Sequence, residues 1–179
     1  MIDYAHSPES LQNILSAVKV YTKGRVISVF GCGGDRDHGK RPIMGEISGN
    51  IADFTVITSD NPRTEEPSEI VKEIEDGMKK TKGKYITIVD RIEAIKYAID
   101  MANKNDIIVL AGKGHETYQE INGKKYGSVE EYLTGKEKLP EIEAGTRATE
   151  PSEYKSNNKT AVIPAGFTVS GIESEQSID

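Results

Sequence analysis

The stretch Val26-Ile27-Ser28-Val29-Phe30-Gly31-Cys32-Gly33-Gly34-Asp35-Arg36-Asp37-His38-Gly39-Lys40-Arg41-Pro42 joins a β-branched apolar run, a glycine-rich turn and the start of a helical segment. A run this continuously apolar suits a strand covered on both faces, as in a parallel sheet. Working outward, similar short runs recur at Phe54-Thr55-Val56-Ile57-Thr58, Tyr85-Ile86-Thr87-Ile88-Val89 and Ile107-Ile108-Val109-Leu110-Ala111. Segments of helical period lie between them. Leu11, Ile14, Leu15 and Val18 share one face, with Ser7 as N-cap and Pro8 at the first helical position. Further helices are expected from near Pro42, from near Pro67 (Ile70, Val71, Ile74) and after Asp90. Asp90 and Glu93 have capping-box spacing ahead of Ile95, Ala98 and Ile99. Alternation of this kind predicts an α/β fold, a doubly wound and mostly parallel sheet. Ligands of such sheets sit beyond the carboxyl ends of the strands, so the loops after residues 30, 58 and 111 are where chemistry is expected.

Tyr118 to Ile121, Asn122-Gly123 and Lys124 to Tyr126 read as a closing hairpin with a primed turn. Beyond about residue 135 the periodicity fades. Residues 140–179 hold seven acidic side chains (Glu141, Glu143, Glu150, Glu153, Glu173, Glu175, Asp179) against three basic ones (Arg147, Lys155, Lys159). The expected division is therefore a domain over 1–134 and a tail over 135–179, linker-like and flexible to about residue 160. Within the tail, Ala161-Val162-Ile163-Pro164 and Phe167-Thr168-Val169 are candidates for a short hairpin.

Composition removes several classes. A net charge of −6 over 179 residues argues against a nucleic-acid binder working by phosphate neutralisation. No apolar stretch reaches the length of a membrane span, and no signal peptide is visible at the N-terminus. One cysteine, Cys32, excludes an internal disulfide framework and fits a reducing cytoplasm.

The first loop invites two phosphate-binding readings, and both fail. A dinucleotide fingerprint needs a third glycine where Arg36 stands. Gly34 to Lys40 has P-loop spacing, but Arg41 replaces the hydroxyl residue that ligates magnesium. What remains is a backbone-rich turn with Arg36, Lys40 and Arg41 available for anions. In the second loop, Asp60-Asn61-Pro62-Arg63 makes a stiff turn that holds Arg63 at a strand end. A guanidinium fork there suits bidentate capture of a carboxylate, and Asp60 offers an acceptor for an ammonium group. The third loop, Gly112-Lys113-Gly114-His115-Glu116, permits close backbone approach to a ligand. Glu116 can accept from an ammonium, and His115 can titrate near neutral pH. No second ligand stands at zinc spacing from His115, so no metal site is expected.

Taken in order, Asp-Tyr-Ala-His at 3–6, Gly-Cys-Gly-Gly-Asp-Arg-Asp at 31–37, Asp-Asn-Pro-Arg at 60–63 and Gly-Lys-Gly-His-Glu at 112–116 resemble the Mur ligases, most closely the branch that adds meso-diaminopimelate. The resemblance runs from residue 2 to about 126. It implies a Rossmann-like C-terminal, amino-acid-binding domain of an ATP-dependent carbon–nitrogen ligase of peptidoglycan synthesis. It further implies that Arg36, Asp60, Asn61, Pro62, Arg63, Gly112 and Glu116 line a meso-diaminopimelate pocket, and that Asp3 and His6 lie near the nucleotide. No catalytic residue is carried over. ATP and Mg2+ are implied for the whole enzyme, bound mainly by a central domain whose P-loop and metal ligands this sequence lacks. UDP-MurNAc-L-Ala-D-Glu is implied as the second substrate. The expectation is thus a domain unable to turn over alone, from a truncated or chimeric reading frame. A competing reading is a stand-alone amino-acid-binding or protein-interaction module derived from that domain.

Overall fold

A computed structural model describes residues 1–114, 116, 118–127, 152–156 and 159–163. The elements run β1 (Ile2–Asp3), α1 (Pro8–Tyr21), β2 (Val26–Phe30), α2 (Lys40–Ile51), β3 (Phe54–Ile57), α3 (Pro67–Met78), β4 (Tyr85–Thr87), α4 (Arg91–Met101) and β5 (Ile107–Ala111). Two hairpins follow, β6 (Tyr118–Ile121) with β7 (Lys124–Gly127) and β8 (Ser152–Ser156) with β9 (Lys159–Ile163).

The helix starts follow their caps. Ser7 accepts from the Ser10 amide and Ser10 returns the bond to the Ser7 amide. The Asp90 carboxylate accepts from the Glu93 amide. Asn122 and Gly123, at φ +50° and +74°, form the primed turn that the hairpin needs.

Strands β1 to β5 form one parallel sheet in the order β1-β5-β2-β3-β4. Period-2 alternation in β2 sorts its side chains between two cores. Val26 and Phe30 join Leu11, Leu15, Met44, Ile70, Ile74 and Met78 from α1, α2 and α3. Ile27 and Val29 face the other way, onto Ala94, Ile95 and Ala98 of α4. The split follows from right-handed crossovers. Steps from β1 to β2, β2 to β3 and β3 to β4 run in one direction and put their helices on one face. The return from β4 to β5 puts α4 on the other. All five residues of β2 are buried, as its apolar run requires.

Strand β1 has no counterpart in the sequence reading, because two residues carry no period. It forms because Ile2 and Asp3 pair with Leu110 and Ala111 and Ile2 is buried. In the tail, residues 159–163 pair with 152–156 in antiparallel register, from Ser152 opposite Ile163 to Ser156 opposite Lys159. The strand partner expected for Ala161 to Ile163, Phe167-Thr168-Val169, lies outside the described residues, as does most of the expected tail. Among the described residues no helix is long and apolar enough to cross a membrane.

Candidate functional site

Parallel strands put the loops after β1, β2, β3 and β5 along one edge of the sheet. The first of these carries Asp3 and His6. The Asp3 carbonyl accepts from the amides of Gly112 (3.1 Å) and Gly114 (3.2 Å), tying it to the loop after β5. The Asp3 carboxylate accepts from the Ala5 amide at 2.8 Å. Exposed His6 lies with its ring centroid 4.7 Å from that of Tyr4, and its carbonyl accepts from Lys40 Nζ at 2.9 Å.

The loops after β2 and β3 are fastened to each other. The Gly34 amide donates to the Asn61 carbonyl (2.8 Å) and the Gly34 carbonyl accepts from Arg63 Nη1 (2.7 Å). Arg63 adopts φ +52°, inside the left-handed region, a conformation that costs a non-glycine residue about 1–2 kcal/mol. It is held there from its far side: its amide donates to the Glu120 carbonyl (3.3 Å) and its carbonyl accepts from the Asn122 amide (2.9 Å). The β6–β7 hairpin therefore sets the direction of Arg63. Measured from a Cβ placed on Gly33, Arg63 Nη1 is 2.9 Å and Arg36 Cγ 3.7 Å away. The two arginines thus flank the same glycine. Arg36 itself is exposed and donates to the Asp35 carbonyl at 3.2 Å.

Asp60, Asn61 and Pro62 are buried. The ammonium that Asp60 meets within this chain is that of Lys113, at 3.2 Å. Asn61 donates from Nδ2 to Glu116 Oε2 (2.9 Å), while its Oδ1 accepts from the Glu120 amide (2.8 Å) and from Lys113 Nζ. Gly112, at φ +106°, packs so closely that a Cβ would lie 2.7 Å from Asp60 Oδ2. The structure thus brings Asp60, Asn61, Arg63, Gly112 and Glu116 into one connected network, with Arg36 at its rim and Asp3 behind Gly112. His115 lies outside the described residues.

Arg41 is not available for anions, contrary to the sequence expectation. Its side chain is fully buried and pairs with Glu65 (2.8 Å) and Glu73 (2.9 Å), while Nη2 reaches the Gly33 carbonyl at 3.2 Å. Placed in the first turn of α2, it points inward beneath the glycine loop and pins that loop to the start of α3. Its hydrogen bonds hold the Glu65 carboxyl down to about 2, assisted by the Asp35 amide against partial burial. A carboxyl lowered in the folded state contributes stability that is complete above the ordinary carboxylate range. That contribution is lost as pH falls from about 5 toward 2. Arg41→Met is therefore expected to flatten the acid limb of stability against pH, measured by urea unfolding; an unchanged limb would show that the pair contributes nothing.

Four features escaped the sequence reading. Lys113 was hidden as the spacer between two glycines, yet its side chain is only 2% exposed. Gln119 donates to the Ser59 hydroxyl (3.3 Å) and the Asp60 carbonyl (2.5 Å). Buried Arg91 reaches the Ser59 and Ala111 carbonyls, each at 3.2 Å. Cys32 is buried beside Met44, and desolvation pushes its thiol up to about 12, so it is no nucleophile. Among the described residues no three His, Cys, Asp or Glu side chains cluster as metal ligands. An open groove lined by Arg25, Asn50, Lys80, Lys82 and Lys84 lies at the opposite, amino-terminal edge of the sheet. Its lysines follow the carboxyl end of α3, where cations are favoured by the helix dipole.

Comparison with known proteins bears on this arrangement. Residues 1–114 match the family described as "Mur ligase, glutamate ligase domain". The chain is 59% identical over 123 residues to the UDP-N-acetylmuramoyl-L-alanyl-D-glutamate–2,6-diaminopimelate ligase of Caldanaerobacter subterraneus subsp. tengcongensis, a match covering 69% of this chain and 26% of that protein. The protein of the same name from Clostridioides difficile is 52% identical over 126 residues, covering 70% of this chain and 26% of that one. A solved structure of a UDP-N-acetylmuramoyl-L-alanyl-D-glutamate–2,6-diaminopimelate ligase superposes with TM-score 0.66 at 46% identity, over 69% of this chain and 26% of that chain. The chain spans about a quarter of the length of the curated relatives it matches.

Proposed function

Since the chain belongs to the Mur ligase family, we propose that it is the amino-acid-binding domain of a ligase that joins meso-diaminopimelate to UDP-MurNAc-L-Ala-D-Glu in the cytoplasm. The observation that carries the reading is the Arg63 guanidinium. It is fixed by a left-handed backbone and the Gly34 carbonyl beside the Asp60–Asn61–Glu116 network. A carboxylate on the guanidinium fork and an ammonium toward Glu116 match the second amino-acid centre of meso-diaminopimelate, of which L-lysine keeps only the ammonium. Arg36 and Gly112 complete the lining, Pro62 stiffens it, and Asp3 and His6 face the nucleotide side. Residues 1–134 form the domain in this reading, and 135–179 are a tail of separate role.

ATP and Mg2+ belong to the ligase as a whole. The glycine loop lacks the magnesium-binding hydroxyl, and among the described residues no metal-ligand cluster stands; in this reading they are held mainly by a central domain. No step through ATP is therefore assigned to these residues. Their part is to bind the amine substrate, exclude its competitors and orient it for attack on an activated carboxyl. The 179 residues by themselves are expected to bind without turning over.

The test is titration calorimetry of the chain with meso-diaminopimelate and with L-lysine, which lacks the second carboxylate. The expected result is tighter binding of meso-diaminopimelate by at least about tenfold, the least that one charge-assisted contact provides. Equal affinity for the two would overturn the assigned pocket.

A further inference from the structure

The Lys113 ammonium is buried among four acceptors: Asp60 Oδ1 at 3.2 Å, Glu116 Oε2 at 3.3 Å, the Tyr118 carbonyl at 2.8 Å, and Asn61 Oδ1. Its Nζ also lies 5.8 Å from the Tyr118 ring centroid. Three of these partners, Asp60, Asn61 and Glu116, are the residues assigned to the ammonium side of the pocket. We propose that Lys113 is the positioning residue of that pocket, an internal counter-charge that keeps Asp60 and Glu116 ionised together and fixes which way the Asn61 amide points. The inference rests on the functional reading above and extends it to a residue that does not itself meet the ligand.

Asn61 Oδ1 faces two donors, Lys113 and the Glu120 amide. Flipping the amide would set its NH2 against both, so Nδ2 is left to donate to Glu116 Oε2. With Oε2 occupied by Asn61 and Lys113, Oε1 of Glu116 carries no partner among the described residues and is the atom free to accept a ligand ammonium. Two carboxylates converge on one Nζ, and without it they become like charges in a poorly solvated site, where one takes up a proton. Arg91, buried under the same strand ends, adds a further positive charge nearby. Burial pulls the lysine down from its ordinary value while Asp60 and Glu116 pull it back. Four acceptors around one nitrogen are best served by the three donors of an ammonium.

The experiment compares the full chain with Lys113→Met and Lys113→Gln. Carboxyl-carbon NMR titration of Asp60 and Glu116 is combined with calorimetry of meso-diaminopimelate and L-lysine. In folded variants one of the two carboxyls is expected to titrate at least about one pH unit higher than in the wild type, a tenfold change in proton affinity. Affinity for both ligands should fall by a common factor of about ten or more, and recover as pH rises through the shifted titration. The preference between the ligands, which depends on Arg63, should be retained. Gln keeps donors for Asn61 and for the Tyr118 carbonyl, so it covers the case in which the Met variant does not fold. Unchanged carboxyl titrations overturn the proposal, and so does loss of fold in both variants, which makes Lys113 a folding residue. Failure of the wild type to bind meso-diaminopimelate counts against the functional reading alone. The titrations of Asp60 and Glu116 then still decide whether Lys113 is their counter-charge.

Discussion

Gly77→Ala is expected to destabilise the protein by about 3 kcal/mol or more, the upper range for overpacking a tight contact. Helices α2 and α3 cross at glycines on both sides. A Cβ on Gly77 would lie 1.8 Å from the Pro42 carbonyl oxygen and 2.9 Å from the Glu46 amide nitrogen. The reciprocal contact, from a Cβ on Gly45, would be 2.1 Å from the Ile74 carbonyl oxygen. Neither obstacle is the end of a flexible side chain. Both are helix backbone, so relief requires the helices to move apart. Separation would loosen Met44, Ile74 and Met78, all fully or almost fully buried in the core under that face of the sheet. Alanine's better helix propensity returns only about 1 kcal/mol. Urea unfolding of the two proteins measures the difference, and a loss below about 1 kcal/mol would contradict so close a crossing.

Arg63→Ala is expected to lower meso-diaminopimelate affinity by about 2–5 kcal/mol, as loss of a partly buried charged contact does, while L-lysine binding changes little. The variant should remain folded. What it removes within the protein is one hydrogen bond to the Gly34 carbonyl, worth about 1 kcal/mol. The backbone at φ +52° stays held by Glu120 and Asn122. Arg63→Lys keeps the charge but not the fork, so it should fall between wild type and alanine. Gly34→Ala gives the same result from a distance, because its Cβ would lie 1.9 Å from the Pro62 carbonyl oxygen and must displace the turn that carries Arg63. Calorimetry with the two amino acids and circular dichroism for the fold suffice. Should Arg63→Ala bind meso-diaminopimelate as the wild type does, the guanidinium is not its carboxylate receptor.

The α/β alternation was legible because burial on both faces of a parallel sheet demands continuous apolar runs, which β2 and β5 display. Strand β4 was readable less from burial than from its β-branched residues, since as an edge strand it is only partly covered. Helix starts were legible at Ser7 and Asp90, where a cap is a property of neighbouring residues. Arg41 was misread for the opposite reason. Nothing local distinguishes an arginine in a glycine loop that faces solvent from one that turns under the loop toward Glu65 and Glu73, carboxylates 24 and 32 residues away.

By itself, then, the sequence determined the order of strands and helices, the edge of the sheet where the three loops gather, and the residue types Asp60-Asn61-Pro62-Arg63 and Gly112 to Glu116 on two of its loops. These are matters of period, turn chemistry and motif order, all of which act over a few residues. Tertiary structure alone decided which charges are spent on internal partners and which are not. Lys113 is consumed by Asp60, Asn61 and Glu116, and Arg41 by two glutamates, whereas among the described residues the Arg63 guanidinium bonds only the Gly34 carbonyl. The reason is that the partners of a buried charge are chosen by distance in space and by the cost of leaving it unpaired, neither of which is written along the chain.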